Sequence, residues 1–145
     1  MTAIFKYMME AGYYPSYECT HIQFEWDGNI TVVECENGLV SVRIYFSIED
    51  NEYEMFVEAS NLTMADTYAV KPVMLDRENI VFSCEFFCDN INDFKSFFPR
   101  ALDCLMKGLD VHKAEMRKLL LASEVASATI PATEESMTGR RKIFS

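Results

Sequence analysis

Histidine is scarce in this chain. Only His21 and His112 occur among 145 residues, so a Cys–His nucleophile pair or an imidazole-bound metal must use one of those two positions. Glycine is also sparse, at five residues, and none sits in the Gly-rich loop that cradles phosphates; GxSxG and HExxH are absent as well. No apolar run approaches the roughly 18–20 residues needed to cross a bilayer. The first residues, MTAIFKYMMEAGYYP, hold one base, Lys6, and no long apolar run, which does not fit a signal peptide. These absences predict a cytoplasmic protein with no membrane partner. Basic residues are short too. Residues 1–88 hold 15 acids and 4 bases, residues 89–124 hold 6 of each, and the whole chain carries −10. Such a field repels phosphate backbones, which disfavours nucleic acid and favours basic partners. Its plainer meaning is a solvated acidic surface.

Cysteine is present at Cys19, Cys35, Cys84, Cys88 and Cys104. The odd number, the missing export signal and the irregular spacing predict reduced, semi-buried thiols and no native disulfide. Cys19 and His21 are two apart, so a strand through both would present them on one face. No second Cys/His pair stands at metal spacing, and His112 is remote in the chain, so no metal is expected. A strand through Cys84 and Cys88 would hold their Cα atoms about 13 Å apart at about 3.3 Å per residue, too far for a disulfide. The carboxylates of EDNEYE suit an exposed helix start and require no chemistry. The sequence thus predicts no catalytic residue, no cofactor and no enzyme.

Half of the residues are hydrophobic and 13% are aromatic, enough to build one core. In AIFKYMMEA, Ile4, Tyr7, Met8 and Ala11 fall at helical spacing, and Gly12 and Pro15 close that helix. Alternation follows in HIQFEWD, NITVVECE and LVSVRIYFSI, joined at Asp27-Gly28 and Asn37-Gly38, which are two-residue hairpin signals. A helix is expected over about Glu52–Ala65, buried through Tyr53, Phe56, Val57 and Met64. YAVKPVML is a short strand that Pro72 confines to an edge, and IVFSCEFF is the next strand. The period then changes at Asp89-Asn90. Asn90 suits a helix N-cap, with Asp93 three residues on. Phe94, Phe98, Leu102, Leu105, Leu109, His112, Met116 and Leu119 recur in steps of three or four. Pro99 predicts a kink and Gly108 a weak point in that helix. The expected division is a single α+β domain over 1–122, with a mobile Ala/Ser/Thr-rich tail over 123–145 ending in Arg140-Arg141-Lys142.

The order α-β-β-β-α-β-β-α predicts a five-stranded, mainly antiparallel sheet with helices packed on one face. The meander HIQFEWDGNITVVECENGLVSVRIYFSI, the passage EASNLTMADTYAVKPVML and the joint NIVFSCEFFCDNINDFKSFFPRAL together resemble the YbjN-like family. Its members carry the label of bacterial sensory transduction regulators and are similar in fold to type III secretion chaperones. The resemblance spans roughly residues 3–120. It implies a chaperone-like fold, a regulatory or protein-binding role, and a homodimer; it implies no catalytic signature.

A helix from Asn90 to Glu124 would be about 50 Å long at 1.5 Å per residue. Five strands make a sheet only about 20–25 Å wide. Some of the apolar stripe should therefore overhang, and exposed apolar rows mark partners. The expected interface comprises Phe98, Leu105, Leu109, His112, Met116, Leu119 and Leu120, serving a protein client of unknown identity or a second copy of the chain. The alternative is a small-molecule-binding domain or small enzyme with a pocket between sheet and helices.

Overall fold

The computed structural model describes residues 1–129. Its elements are α1 (Thr2–Glu10), β1 (Ser16–Glu18), β2 (His21–Trp26), β3 (Asn29–Glu36), β4 (Leu39–Ser47), a 3-10 turn (Asp50–Glu52), α2 (Tyr53–Asp66), β5 (Val70–Met74), β6 (Asn79–Phe87) and α3 (Ile91–Thr129). All strand pairs are antiparallel, in the order β1-β2-β3-β4-β6-β5. The architecture is the expected α+β one, but the sheet has six strands where five were expected. The additional strand is Ser16-Tyr17-Glu18, paired with His21-Ile22-Gln23. It is three residues long, too short to display alternation. Its connection, Cys19-Thr20, lacks Gly and Asn, although Cys19 adopts φ 55°. Cys19 therefore lies in a turn and does not share a strand with His21.

The two hairpin signals behave as their chemistry requires. Asp27-Gly28 and Asn37-Gly38 have φ of 49°, 79°, 51° and 79°, and they join Trp26 to Asn29 and Glu36 to Leu39 across two-residue loops. Positive φ at both central positions twists the turn in the sense of the flanking strands. Pro72 lies in β5, an edge strand that pairs only with β6.

One face of the sheet buries Ile22, Phe24, Val33, Val42, Ile44 and Phe82 against α1 and α3. α3 starts where the sequence signals it. The Asn90 side-chain oxygen accepts from the Asp93 N–H at 3.0 Å, and the Asp93 carboxylate accepts from the Asp89 N–H at 3.0 Å. The two bonds satisfy backbone donors at the helix entry reciprocally. Phe94 and Phe98 then stack at 4.8 Å between ring centroids. Around them, Tyr7 meets Phe94 at 5.8 Å and Tyr13 meets Phe98 at 5.3 Å, both edge-on. Phe24 of β2 lies 5.8 Å from Phe98. Rings from α1, β2 and α3, with Tyr13 from the chain after α1, thus form one cluster in the geometries aromatic quadrupoles favour.

α3 continues through Pro99 and past the expected boundary at residue 122 to Thr129. Residues 122–128 include three alanines, the best helix formers, which the composition alone disguised as a tail. The remainder of the expected tail, including Arg140-Arg141-Lys142, lies outside the described residues. α2 departs from expectation in its buried side. Met64 is exposed, and Tyr53, Phe56 and Val57 are half-buried; the buried residues are Ala59, Ser60 and Thr63. Small side chains let α2 lie close to α3, and Thr63 folds its hydroxyl onto the Ala59 carbonyl at 2.7 Å.

Gly108 has a packing role. A Cβ built there would stand 2.7 Å and 3.1 Å from the two γ carbons of Val70. The helix can therefore lie this close to β5 only with glycine at that position. Alanine would gain about 1 kcal/mol of helix propensity, but the clash with a buried β-branched side chain costs about 1–3 kcal/mol. Gly108→Ala is expected to lower unfolding stability by about 1 kcal/mol in urea denaturation, despite the propensity gain. Adding Val70→Ala to Gly108→Ala should remove the clash, so the two changes together should cost less than the sum of the two alone. Additive losses would contradict this reading.

Candidate functional site

The structure divides the expected interface residues into two groups. Phe98, Leu105, Leu109 and His112 are buried within the single chain, none of them more than 4% exposed. This corrects their assignment as interface surface: α3 lies lengthwise enough on the sheet and α2 for the stripe to serve as core down to Glu115. Met116 and Leu119 are half-buried, and Leu120 is exposed. No residue from 116 to 128 is buried. Beyond Glu115, Leu120 is 47% and Leu121 is 60% exposed. At 1.5 Å per residue the stretch from 116 to 129 adds about 20 Å of helix.

The sheet face opposite α1 and α3 is polar along two rows. Arg43 reaches Glu34 at 3.8 Å and Lys71 reaches Glu85 at 3.3 Å. Toward the far end of β4 and β6 the face turns apolar. Tyr45 pairs with Val81, which pairs with Val73. Tyr45 and Val73 are 43% and 38% exposed.

A cleft of about 430 Å³ opens between β4, β6, the start of α2 and α3. It sits within the ~300–1,000 Å³ range of small-molecule pockets. Ile80, Phe82, Leu109 and His112 form its buried floor, and Phe46 and Phe56 flank it half-buried. Lys113 and Arg117, both exposed, and Glu52 stand at the mouth. The wall carrying Glu52 and Phe56 is fixed from outside by Arg77. Its guanidinium binds the carboxylates of Asp50 and Glu54 and lies 4.4 Å from the Tyr53 ring centroid. These contacts are exposed and each is worth little energetically, but together they set the direction in which the 3-10 turn enters α2.

His112 occupies the floor as a packed imidazole. Phe56 and Phe82 ring centroids lie 5.1 Å and 5.0 Å away, and Nε2 is 3.3 Å from the Ser60 hydroxyl. Burial pushes its pKa below the ordinary value of 6.5, while a hydrogen bond with the Phe56 backbone acts weakly the other way. The ring is therefore neutral at pH 7. His21 is half-buried on β2, far along the chain and outside this cleft. Cys84 faces the core, where burial pushes its thiol up to about 11; burial also raises Cys35 and Cys88. Such thiols are poor nucleophiles. Lys113 and Arg117 escaped the sequence reading. Their only signal was the i,i+4 spacing of two bases in the charge-balanced segment of an acidic chain.

No protein-family model matches the sequence, and no curated protein does. Solved structures do match. YbjN from E. coli, provisionally described as a transcription regulator, superposes with a TM-score of 0.66 at 9% identity, over 81% of this chain and 92% of YbjN. The chain has the YbjN fold. An uncharacterized protein from Methanothermobacter thermautotrophicus shares it, with a TM-score of 0.59 at 10% identity over 81% of this chain and 96% of that one. At such identities the likeness extends to the α+β scaffold, and the side chains of the cleft and of the helix end must be read on their own chemistry.

The lowered His112 pKa links stability to pH. The unfolded chain takes up a proton below about pH 6.5, where the folded imidazole stays neutral, so stability falls as pH drops through that value and stops falling below the folded pKa. Unfolding free energy is expected to decrease between about pH 7.5 and 5.5, at no more than about 1.4 kcal/mol per pH unit from this group. His112→Leu should flatten that slope while costing stability at the upper pH, because the Ser60 hydroxyl loses its partner. An unchanged slope in the variant would contradict the assignment.

Proposed function

We propose that the chain is a non-catalytic protein-binding module, a regulatory adaptor, that works as a homodimer through the projecting end of α3 and the apolar end of the open sheet face. The observation that carries this reading is the exposure of Leu120 and Leu121 on a helix that continues after burial has ended at Glu115. Consecutive exposed leucines on an ordered helix are costly in water unless a partner covers them. Fully burying one such side chain contributes about 1.5–3 kcal/mol. Two per protomer, doubled by two-fold symmetry, give about 6–12 kcal/mol, comparable with an association cost of about 4–15 kcal/mol. The dimer is accordingly concentration-dependent, and the same surface is available to a client.

The provisional description of YbjN as a regulator supports a regulatory role. With a net charge of −10, that role runs through protein contacts and not through a nucleic-acid backbone. The acidic surface keeps the protein in solution and suits a client with a basic segment.

In light scattering at tens of micromolar, the full chain is expected to show the dimer mass and to lose it on dilution. Leu120→Asp with Leu121→Asp should give a monomer whose circular dichroism matches wild type, since neither side chain belongs to the core. A wild type that is monomeric throughout, or a variant that still dimerises, would overturn the dimer.

A further inference from the structure

We propose that the cleft between β4, β6, α2 and α3 binds a small hydrophobic monoanion, an apolar body bearing one carboxylate. The body would lie on Ile80, Phe82 and Leu109, and the carboxylate would lie at the mouth on Lys113 and Arg117. This goes beyond the protein-docking reading and does not depend on it, because neither Leu120 nor Leu121 lines the cleft. Three observations carry it. The cleft is roomy, at about 430 Å³, and its floor is hydrocarbon and aromatic apart from His112. His112 contributes no charge there, since it is buried, packed between two phenylalanines and turned to Ser60. A charged group inserted deep would find no counter-ion, so the ligand's charge belongs at the mouth.

The mouth carries two cations that no carboxylate among the described residues holds. Lys6, Arg43, Lys71, Arg77 and Lys118 each have a carboxylate within 4.0 Å; Lys113 and Arg117, like Lys95, Arg100 and Lys107, have none among the described residues, and of these five only Lys113 and Arg117 line the cleft. They stand one helical turn apart on the same lip. Glu52 is on the lining as well, which leaves the mouth one positive charge in excess and favours a monoanion over a dianionic phosphate. Arg117 also offers the planar fork that matches a carboxylate. The overall negative charge of the protein does not override this local balance, because fields are screened over about 8 Å at physiological ionic strength.

The test is calorimetric titration of the full chain with decanoate, decan-1-ol and decyltrimethylammonium, with amide chemical shifts recorded in parallel. Decanoate should bind saturably, one per chain, at least about tenfold more tightly than the alcohol, and the ammonium should be weakest. Shifts should concentrate at Ile48, Phe56, Ile80 and His112. Lys113→Gln with Arg117→Gln should weaken decanoate about tenfold and leave decanol unchanged, with an unaltered melting curve because both side chains are exposed. Met116→Trp, which fills the cleft from its half-buried side, should weaken both ligands. The proposal is overturned if decanoate fails to saturate below its micellar concentration, if the ammonium binds as well as the acid, if the shifts lie elsewhere, or if the double variant binds decanoate like wild type.

Discussion

The molecule depends on how closely α3 can approach the sheet. Glycine at position 108 sets that distance at β5, where Val70 occupies the space a methyl group would need. From that contact the helix reaches back to the Phe94–Phe98 stack, which gathers Tyr7, Tyr13 and Phe24 around it. It reaches forward to His112, which closes the core between Phe56 and Phe82. Shifting the helix outward at its middle would loosen both ends, because interiors packed at crystal density cannot absorb a displacement locally. The capped start at Asn90 and Asp93 fixes where this long element begins and hence which residues meet which strand.

Two surfaces follow from that placement. The helix is longer than the structure it covers, so its last turns carry leucines beyond any buried position. Where it leaves the sheet it also cannot seal the corner between β4, β6 and the entry of α2, and a cleft with an apolar floor and a cationic mouth remains. Both features arise from one cause, a helix that outruns its sheet. Similarity in scaffold to YbjN is consistent with a shared architecture on which such surfaces differ from protein to protein. A module that reads a small acid in its corner and presents a docking helix a turn away would couple the two through α3 itself.

Much of the scaffold was legible in the residues. Asp27-Gly28 and Asn37-Gly38 announced their hairpins, Pro72 its edge, and the period change at Asn90 the last helix, because each signal rests on a local conformational requirement. What was illegible depends on tertiary contact. The strand at Ser16–Glu18 has no pattern of its own and exists through pairing with β2. The small buried side of α2, Ala59-Ser60 with Thr63, makes sense only once α3 is beside it. Gly108 looked like a weakness until Val70 was opposite. For the candidate site, the apolar period was read correctly but could not tell core from surface. Phe98, Leu105, Leu109 and His112 have the same spacing as Met116 and Leu119, and only the reach of the sheet and α2 separates them. Lys113 and Arg117 resembled any solvated pair until the cleft lay beneath them.

The central claim is that α3 is core up to Glu115 and interface beyond it. Amide hydrogen exchange along α3 tests this most directly. In dilute protein, amides from Phe98 to Glu115 should exchange only with global unfolding, while those from Leu119 to Ala128 exchange orders of magnitude faster. The second group alone should gain protection as concentration is raised. Uniform protection along the whole helix in dilute protein, or protection of the last turns that ignores concentration, would contradict the account.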